Sequence, residues 1–204
     1  TGQPSIAGTA MSRALLAVLI LCATSLPAQK PEATMPDTPQ SPDTPQPMDM
    51  PQSLPHTSNS FALTVNASMC EAGPLFGPEG ERVWAGDDWN PQFVFPIPAR
   101  DVEGAVFTIR HGEHSAVWVN THFDVEAGRM QYVYVLGDLL VTTIDVRLHA
   151  IDPAHTKVEV TYIRTALRPE AGEHVIAMGK HDREQGPVWE RKINTYLQRR
   201  TLRR

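Results

Sequence analysis

Val158-Glu159-Val160-Thr161-Tyr162-Ile163-Arg164-Thr165-Ala166-Leu167 decides the fold, because it alternates with a period of two and Arg168-Pro169-Glu170 then leads into a helical tail. A period of two sends successive side chains to opposite faces, so Val158, Val160, Tyr162, Arg164 and Ala166 form the inward set of a half-buried strand. Arg164 is the outlier there. Upstream lie short alternating segments joined by tight turns. An antiparallel meander closed by a terminal amphipathic helix predicts a sheet gripping a helix, with a pocket between the two.

Working outward, Asp152-Pro153 turns into this strand from Leu139 to Ala150, where Leu140, Thr142, Ile144, Val146 and Leu148 point one way. Thr143, Asp145, Arg147 and His149 point the other, as in a sheet with one wet face. Arg129 to Leu136 precedes it through the Gly137-Asp138 turn, with Met130, Tyr132, Tyr134 and Leu136 on one side. Ala105 to Arg110 and Ser115 to Asp124 form a hairpin, since Gly112 in His111-Gly112-Glu113-His114 suits a type II′ turn. Pairing His111 with His114 sets Ile109 opposite Ala116 and Phe107 opposite Trp118, so Phe107, Ile109, Trp118, Asn120 and His122 share a face.

The domain begins near Asn59, where Phe61, Leu63 and Val65 alternate with Ala62, Thr64 and Asn66. Ala67 to Trp89 reads as one or two short helices. Pro91, Pro96 and Pro98 confine Gln92-Phe93-Val94-Phe95 to an edge or a loop. After the last strand, Pro169 fits the first turn of a helix whose apolar side carries Val175, Ile176 and Met178. Gly186-Pro187 should break or kink it. The helix resumes with the stripe Trp189, Ile193, Tyr196 and Leu197. Its basic end, Arg199 to Arg204, suits a helix C-terminus, or contact with anionic lipid or wall polymer.

The chain has 204 residues and a formal net charge of -5, which gives no electrostatic reason to expect nucleic acid. Met11-Ser12-Arg13, the apolar run Ala14 to Cys22 and the small residues to Ala28 read as a signal peptide over residues 11–28, cleaved after Ser25 or Ala28. The run is too short to remain as a transmembrane anchor. Leu21 before Cys22 departs from a lipidation motif, so an exported, periplasmic or secreted protein is expected rather than a lipoprotein. Residues 1–10 read as an upstream extension. Residues 29–58 are a Pro-rich linker that cannot bury enough apolar surface to order itself. Cys70, the one cysteine left after cleavage, reads as a small packing residue.

Several stretches resemble the START-like superfamily, also called SRPBCC or birch-pollen-allergen-like. They are Leu75-Phe76-Gly77-Pro78-Glu79-Gly80-Glu81-Arg82-Val83-Trp84, Asp87-Asp88-Trp89-Asn90-Pro91, Gly104 to Gly112, Thr161 to Leu167 and Trp189 to Leu197. Within the superfamily the likeness is to bacterial proteins labelled polyketide cyclase or activator-of-heat-shock-ATPase-like, and it covers residues 59–204. The resemblance implies an α+β helix-grip fold, a curved antiparallel sheet of about six or seven strands wrapped around a long C-terminal helix. It also implies a cavity for lipids, sterols or polyketide-like molecules, and no single activity.

The inward constellation Trp118, Asn120, His122, Tyr132, Tyr134, Tyr162 and Arg164 combines aromatic walls with a few polar tips, as small-molecule pockets do. Arg164 would hold a carboxylate or carbonyl, and His122 would perform any proton transfer. The same residues also suit an ordinary core in which Arg164 pairs with an acid. His111, Glu113 and His114 sit on a hairpin tip without a third strong ligand, so no metal and no cofactor are expected. Asp87 with Asp88, and His174 with His181, read as loop and solvated helix groups. The expected function is binding of an apolar small molecule without catalysis. A cyclase- or hydratase-type enzyme and a protein-interaction module are the alternatives.

Overall fold

The computed structural model describes residues 53–111 and 114–203. The signal segment, most of the linker and the Gly112-Glu113 turn lie outside the described residues. Seven strands form one antiparallel sheet: β1 (His56–Val65), β2 (Gln92–Phe95), β3 (Val106–His111), β4 (His114–Asp124), β5 (Arg129–Leu136), β6 (Leu140–Asp152) and β7 (His155–Ala166). Their spatial order is β1-β7-β6-β5-β4-β3-β2. Between β1 and β2 runs a strap of α1 (Met69–Ala72), a 3₁₀ turn (Gly73–Phe76) and α2 (Pro78–Glu81). After β7 come a 3₁₀ turn (Pro169–Ala171), α3 (Gly172–Asp182) and α4 (Gly186–Thr201).

The hairpin register holds: His111 pairs with His114, Ile109 with Ala116 and Phe107 with Trp118. β6 and β7 turn the expected sets inward, with Thr142 and Arg164 buried and Tyr162 half-buried. One boundary differs from expectation. β1 begins at His56, inside the stretch assigned to the linker, because its exposed Ser58 and Ser60 give that end a polar composition. The helical tail is two helices of 11 and 16 residues. Gly186-Pro187 breaks the tail, as its composition predicts, and starts the second helix, since a proline lacks an N–H and fits the first turn.

The inner face of the sheet is laminated in cross-strand rows. One row is apolar: Ile109, Ala116, Leu136, Leu140 and Ala166. Another is Phe123, Met130, Val146, Val160 and Phe61. Two mixed rows lie between them and carry most of the polar inward groups.

The open edge of β1 is closed by α4, which removes a row of unpaired backbone groups that would otherwise invite pairing. Glu190 Oε2 accepts the Thr64 N–H at 2.8 Å. Asn194, one helical turn on, accepts the Asn66 N–H at 2.8 Å and donates to Thr64 O at 2.9 Å. The fit depends on glycines at the contact. A Cβ on Gly179 would stand 2.4 Å from Asn59 Nδ2, and one on Gly186 would stand 2.7 Å from the Ala62 carbonyl oxygen. Because that second neighbour is backbone, Gly186→Ala should lower stability by about 1–3 kcal/mol. Urea unfolding of the purified variant checks this.

Candidate functional site

One mixed row crosses all seven strands: Phe93, Phe107, Trp118, Tyr134, Thr142, Arg164 and Thr57. Its first half is a ladder of stacked rings. Centroids are 5.4 Å apart for Phe93 and Phe107, 5.7 Å for Phe107 and Trp118, and 4.3 Å for Trp118 and Tyr134. Trp89 adds an edge-on contact to Trp118 at 5.6 Å. The second half is polar, so the row is amphipathic along its length.

Among the described residues, six buried side-chain polar atoms lack a hydrogen-bond partner in the protein, and four of them belong to this row: Trp118 Nε1, Thr142 Oγ1, Arg164 Nε and Thr57 Oγ1. Thr57 lies at the β1 end beneath α3, 3.5 Å from where a Cβ on Gly179 would stand. The other three sit on residues at most 6% exposed.

Arg164 is not free to hold a carboxylate. Its Nη1 donates to Asp182 Oδ2 of α3 in a buried ion pair, and its Cζ lies 4.4 Å from the Tyr162 ring centroid. The guanidinium charge is therefore balanced within the protein, which corrects the expected role of Arg164 as an anion anchor. Its Nε–H still has donor capacity.

The second mixed row is Asn120, Tyr132, Ile144, Tyr162 and Asn59. Tyr132 donates to the Phe76 carbonyl of the strap, and Asn120 donates to Val102 O at 3.2 Å. Above it stands Glu81 at the end of α2, which the sequence reading missed. Burial pushes the Glu81 carboxyl well above its ordinary 4.5, and Asp101 adds to the shift. Burial likewise raises the Tyr132 and Tyr162 hydroxyls, with Glu81 contributing to both. Asp101 accepts the Glu79 and Gly80 N–H groups at 2.8 and 3.0 Å and so fixes the strap that carries Glu81. A half-buried carboxyl whose neutral form is favoured thus stands at the end of α2.

His122 does not share this face. A bulge at Thr121 puts an extra residue into β4, so His122 pairs with Gln131 on the outer side, whereas Asn120 pairs with Tyr132 on the inner side. Its Nδ1 is 3.0 Å from Glu103 Oε2. Trp118, Asn120, Tyr132, Tyr134, Tyr162 and Arg164 are brought together as expected, and His122 is not.

Two clefts lie on the outside of the shell, in the seam between the strap and α4. One, of about 260 Å³, is bordered by Val83, Trp84, Arg191, Lys192, Tyr196 and Arg199. The other, of about 350 Å³, includes Cys70, Leu75, Gly80, Val83, Tyr196 and Arg200. Cys70 is exposed there, not a packing residue.

No protein-family profile matches the chain, and no curated protein sequence matches it significantly. Solved structures do match. A point mutant of norcoclaurine synthase from Thalictrum flavum, solved with a transition-state analogue, gives a TM-score of 0.54 at 12% identity, over 72% of this chain and 98% of that one. The same enzyme with dopamine and hydroxybenzaldehyde gives 0.50 at 10% identity, over 69% and 87%. An uncharacterised protein from Rhizobium leguminosarum gives 0.51 at 16% identity, over 72% and 97%. Seven antiparallel strands, a helical strap and terminal helices closing the sheet edge give this chain the START-like, or SRPBCC, helix-grip fold.

Proposed function

We propose that the domain binds an apolar or amphipathic small molecule between the inner face of the sheet and the helices covering it. The row of unpaired polar atoms carries this reading. An unpaired buried polar group costs about 1–3 kcal/mol. Four such groups approach the net stability of a small domain, about 5–15 kcal/mol. A bound molecule that fills their hydrogen bonds offsets that cost, and the ring ladder beside them supplies the apolar wall. Entry is assigned to the seam at Val83 and Tyr196, where both clefts reach shell residues, Trp84 in one and Leu75 in the other.

Native mass spectrometry of the full chain, purified without organic solvent, tests the reading. The expected result is a small molecule at one per chain, or stoichiometric uptake of the neutral dye Nile red by protein stripped of ligand. Trp118→Ala should weaken dye binding about tenfold, since it removes a ring worth ~1.4 kcal/mol of contact. Protein that carries nothing and takes up no dye would overturn the proposal.

A second reading, acid–base chemistry on the bound molecule, has one observation in its favour, the desolvated Glu81. Its linkage can be measured without a substrate. The unfolded chain loses this proton near pH 4.5 while the folded protein keeps it to higher pH, so stability falls as pH rises between the two values. Glu81→Gln has no proton to lose. It should therefore unfold at a higher temperature than the wild type at neutral pH, and the difference should shrink toward acid. Equal pH profiles for the two proteins would remove Glu81 from consideration as an acid.

We also infer export from the pattern of residues 11–28. Sequencing the N-terminus of protein recovered from the natural host checks it: a start after Ser25 or Ala28 is expected, and an intact leader counts against it.

A further inference from the structure

The outer face of the sheet is not polar throughout. Toward one end of the strands its rows carry Asp145, Arg129, Arg147 and Glu159, but the next two rows are apolar. Val106, Val119 and Val133 stand in register in one of them, and Val117, Val135 and Val141 in the other. Val117 is 47% and Val135 37% exposed, and the other four valines are half-buried. The described helices meet the sheet from its other side or at its edge: the strap at Tyr132, α3 at Arg164 and α4 along β1. Strand propensity favours valine at any outward position, so it does not explain why one face changes from charged to apolar within the same strands. A contiguous apolar patch with a polar margin marks an interaction surface.

We propose that this face docks the same face of a second copy of the chain, the two sheets packing about 10 Å apart. Shape favours that occupant. β-Branched side chains are stiff at χ1, so the patch is a firm, gently twisted surface that a second sheet of the same twist matches at small entropic cost. The chain's own stretch from Lys30 to Pro51 is rich in proline and aspartate and offers few apolar side chains to such a surface. Area agrees: seven strands about 4.8 Å apart and four outward rows about 6.8 Å apart give a footprint of about 800 Å², the share each partner gives to a standard stable interface. Charge agrees as well. The margin is mixed in sign, with Arg147 paired to Asp145, Lys157 to Glu159, and Asp124 in register with Arg129. Such a margin calls for neither an acidic nor a basic partner, and an apolar centre within a polar rim is the make-up of a protein interface.

Sedimentation equilibrium of the full chain tests this. The wild type should form a dimer with a dissociation constant of about 10 µM or tighter. Val117→Lys sets an ammonium group against the apolar block of each partner and should weaken the dimer at least about a hundredfold. Diluted to monomers, the variant should unfold at the wild-type temperature, because position 117 is exposed in a single copy. Ile97→Lys, at an exposed apolar position outside the block, should leave the dimer intact. Isotope-filtered NMR of a mixture of valine-methyl-labelled and unlabelled protein needs no variant. Contacts between copies should reach the methyl groups of Val117, Val133 and Val135.

A wild type that stays monomeric at about ten times that concentration would overturn the proposal. Valine methyl groups in contact with residues before Ser53 of the same molecule would show that the chain's own N-terminal part takes the face in place of a second copy. A dimer that withstands Val117→Lys, or whose intermolecular contacts miss these valines, would also overturn it, because association would then run through another surface. Loss of the dimer in Ile97→Lys would move the interface to the β2 edge.

Discussion

The buried pair between Arg164 and Asp182 is the constraint on which the interior depends. It joins the inner face of β7 to the end of α3, and both residues are nearly inaccessible to solvent. Removing two charges from water costs several kcal/mol for each ion, so such a pair stabilises little on balance, yet breaking it by deleting one partner costs about 3–5 kcal/mol. Its effect is positional. With Asp182 held at the sheet, Arg183 reaches Asn59, and α4 starts where Glu190 and Asn194 meet the backbone of β1. The same pair balances the guanidinium that β7 carries inward.

The lamination of that face follows from strand register. Because side chains alternate with a period of two, a single register places whole rows in line, and a slip of one residue would send each row to the other side. Apolar rows at either end leave the polar side chains in two adjacent rows in the middle. The upper mixed row is met in large part from within the protein: Tyr132 donates to Phe76 O, Asn120 Nδ2 to Val102 O, and Asn59 accepts from Arg183, which leaves the Asn120 Oδ1 acceptor unpaired. The row beside it is not, apart from the Arg164 end that Asp182 meets. One unpaired atom in the upper row against four in its neighbour marks the neighbour as the less satisfied layer.

Much of this was legible in the sequence, and the reasons differ by residue. The inward sets of β6 and β7 follow from clean alternation, and the Gly112 turn predicts the pairing of Phe107 with Trp118. The bulge at Thr121 was not legible. No glycine or proline marks it, and it arises where Asn120 pairs with Ala105 and Gly104 across the end of β3. His122 was therefore placed on the wrong face by an alternation that stops one residue earlier. Glu81 was hidden for another reason. It lies in a strap of helices only four residues long, too short for a periodicity that would show which side faces in. What places it is distant in sequence, namely Asp101 gripping the first turn of α2 and the Gly80 backbone pressed to within 1.7 Å, for a Cβ, of Pro74 O. The partner of Arg164 was anticipated as an acid without a name, because the contact joins elements whose relative placement no local pattern encodes.

Low dielectric strengthens the ion pair and makes the unpaired donors beside it costly, so the two features have one physical origin. A close-packed interior would ordinarily carry valine in place of Thr142, since the change removes an unpaired group at little loss of shape. Retaining the polar atoms keeps the domain less stable than its own packing would allow. Binding then couples to folding by mass action: a molecule that meets the row raises stability by about 2.7 kcal/mol at a hundredfold excess over its dissociation constant. On the proposed binding reading the occupied state is the better-satisfied one, beneath the helices held by Asp182, Glu190 and Asn194.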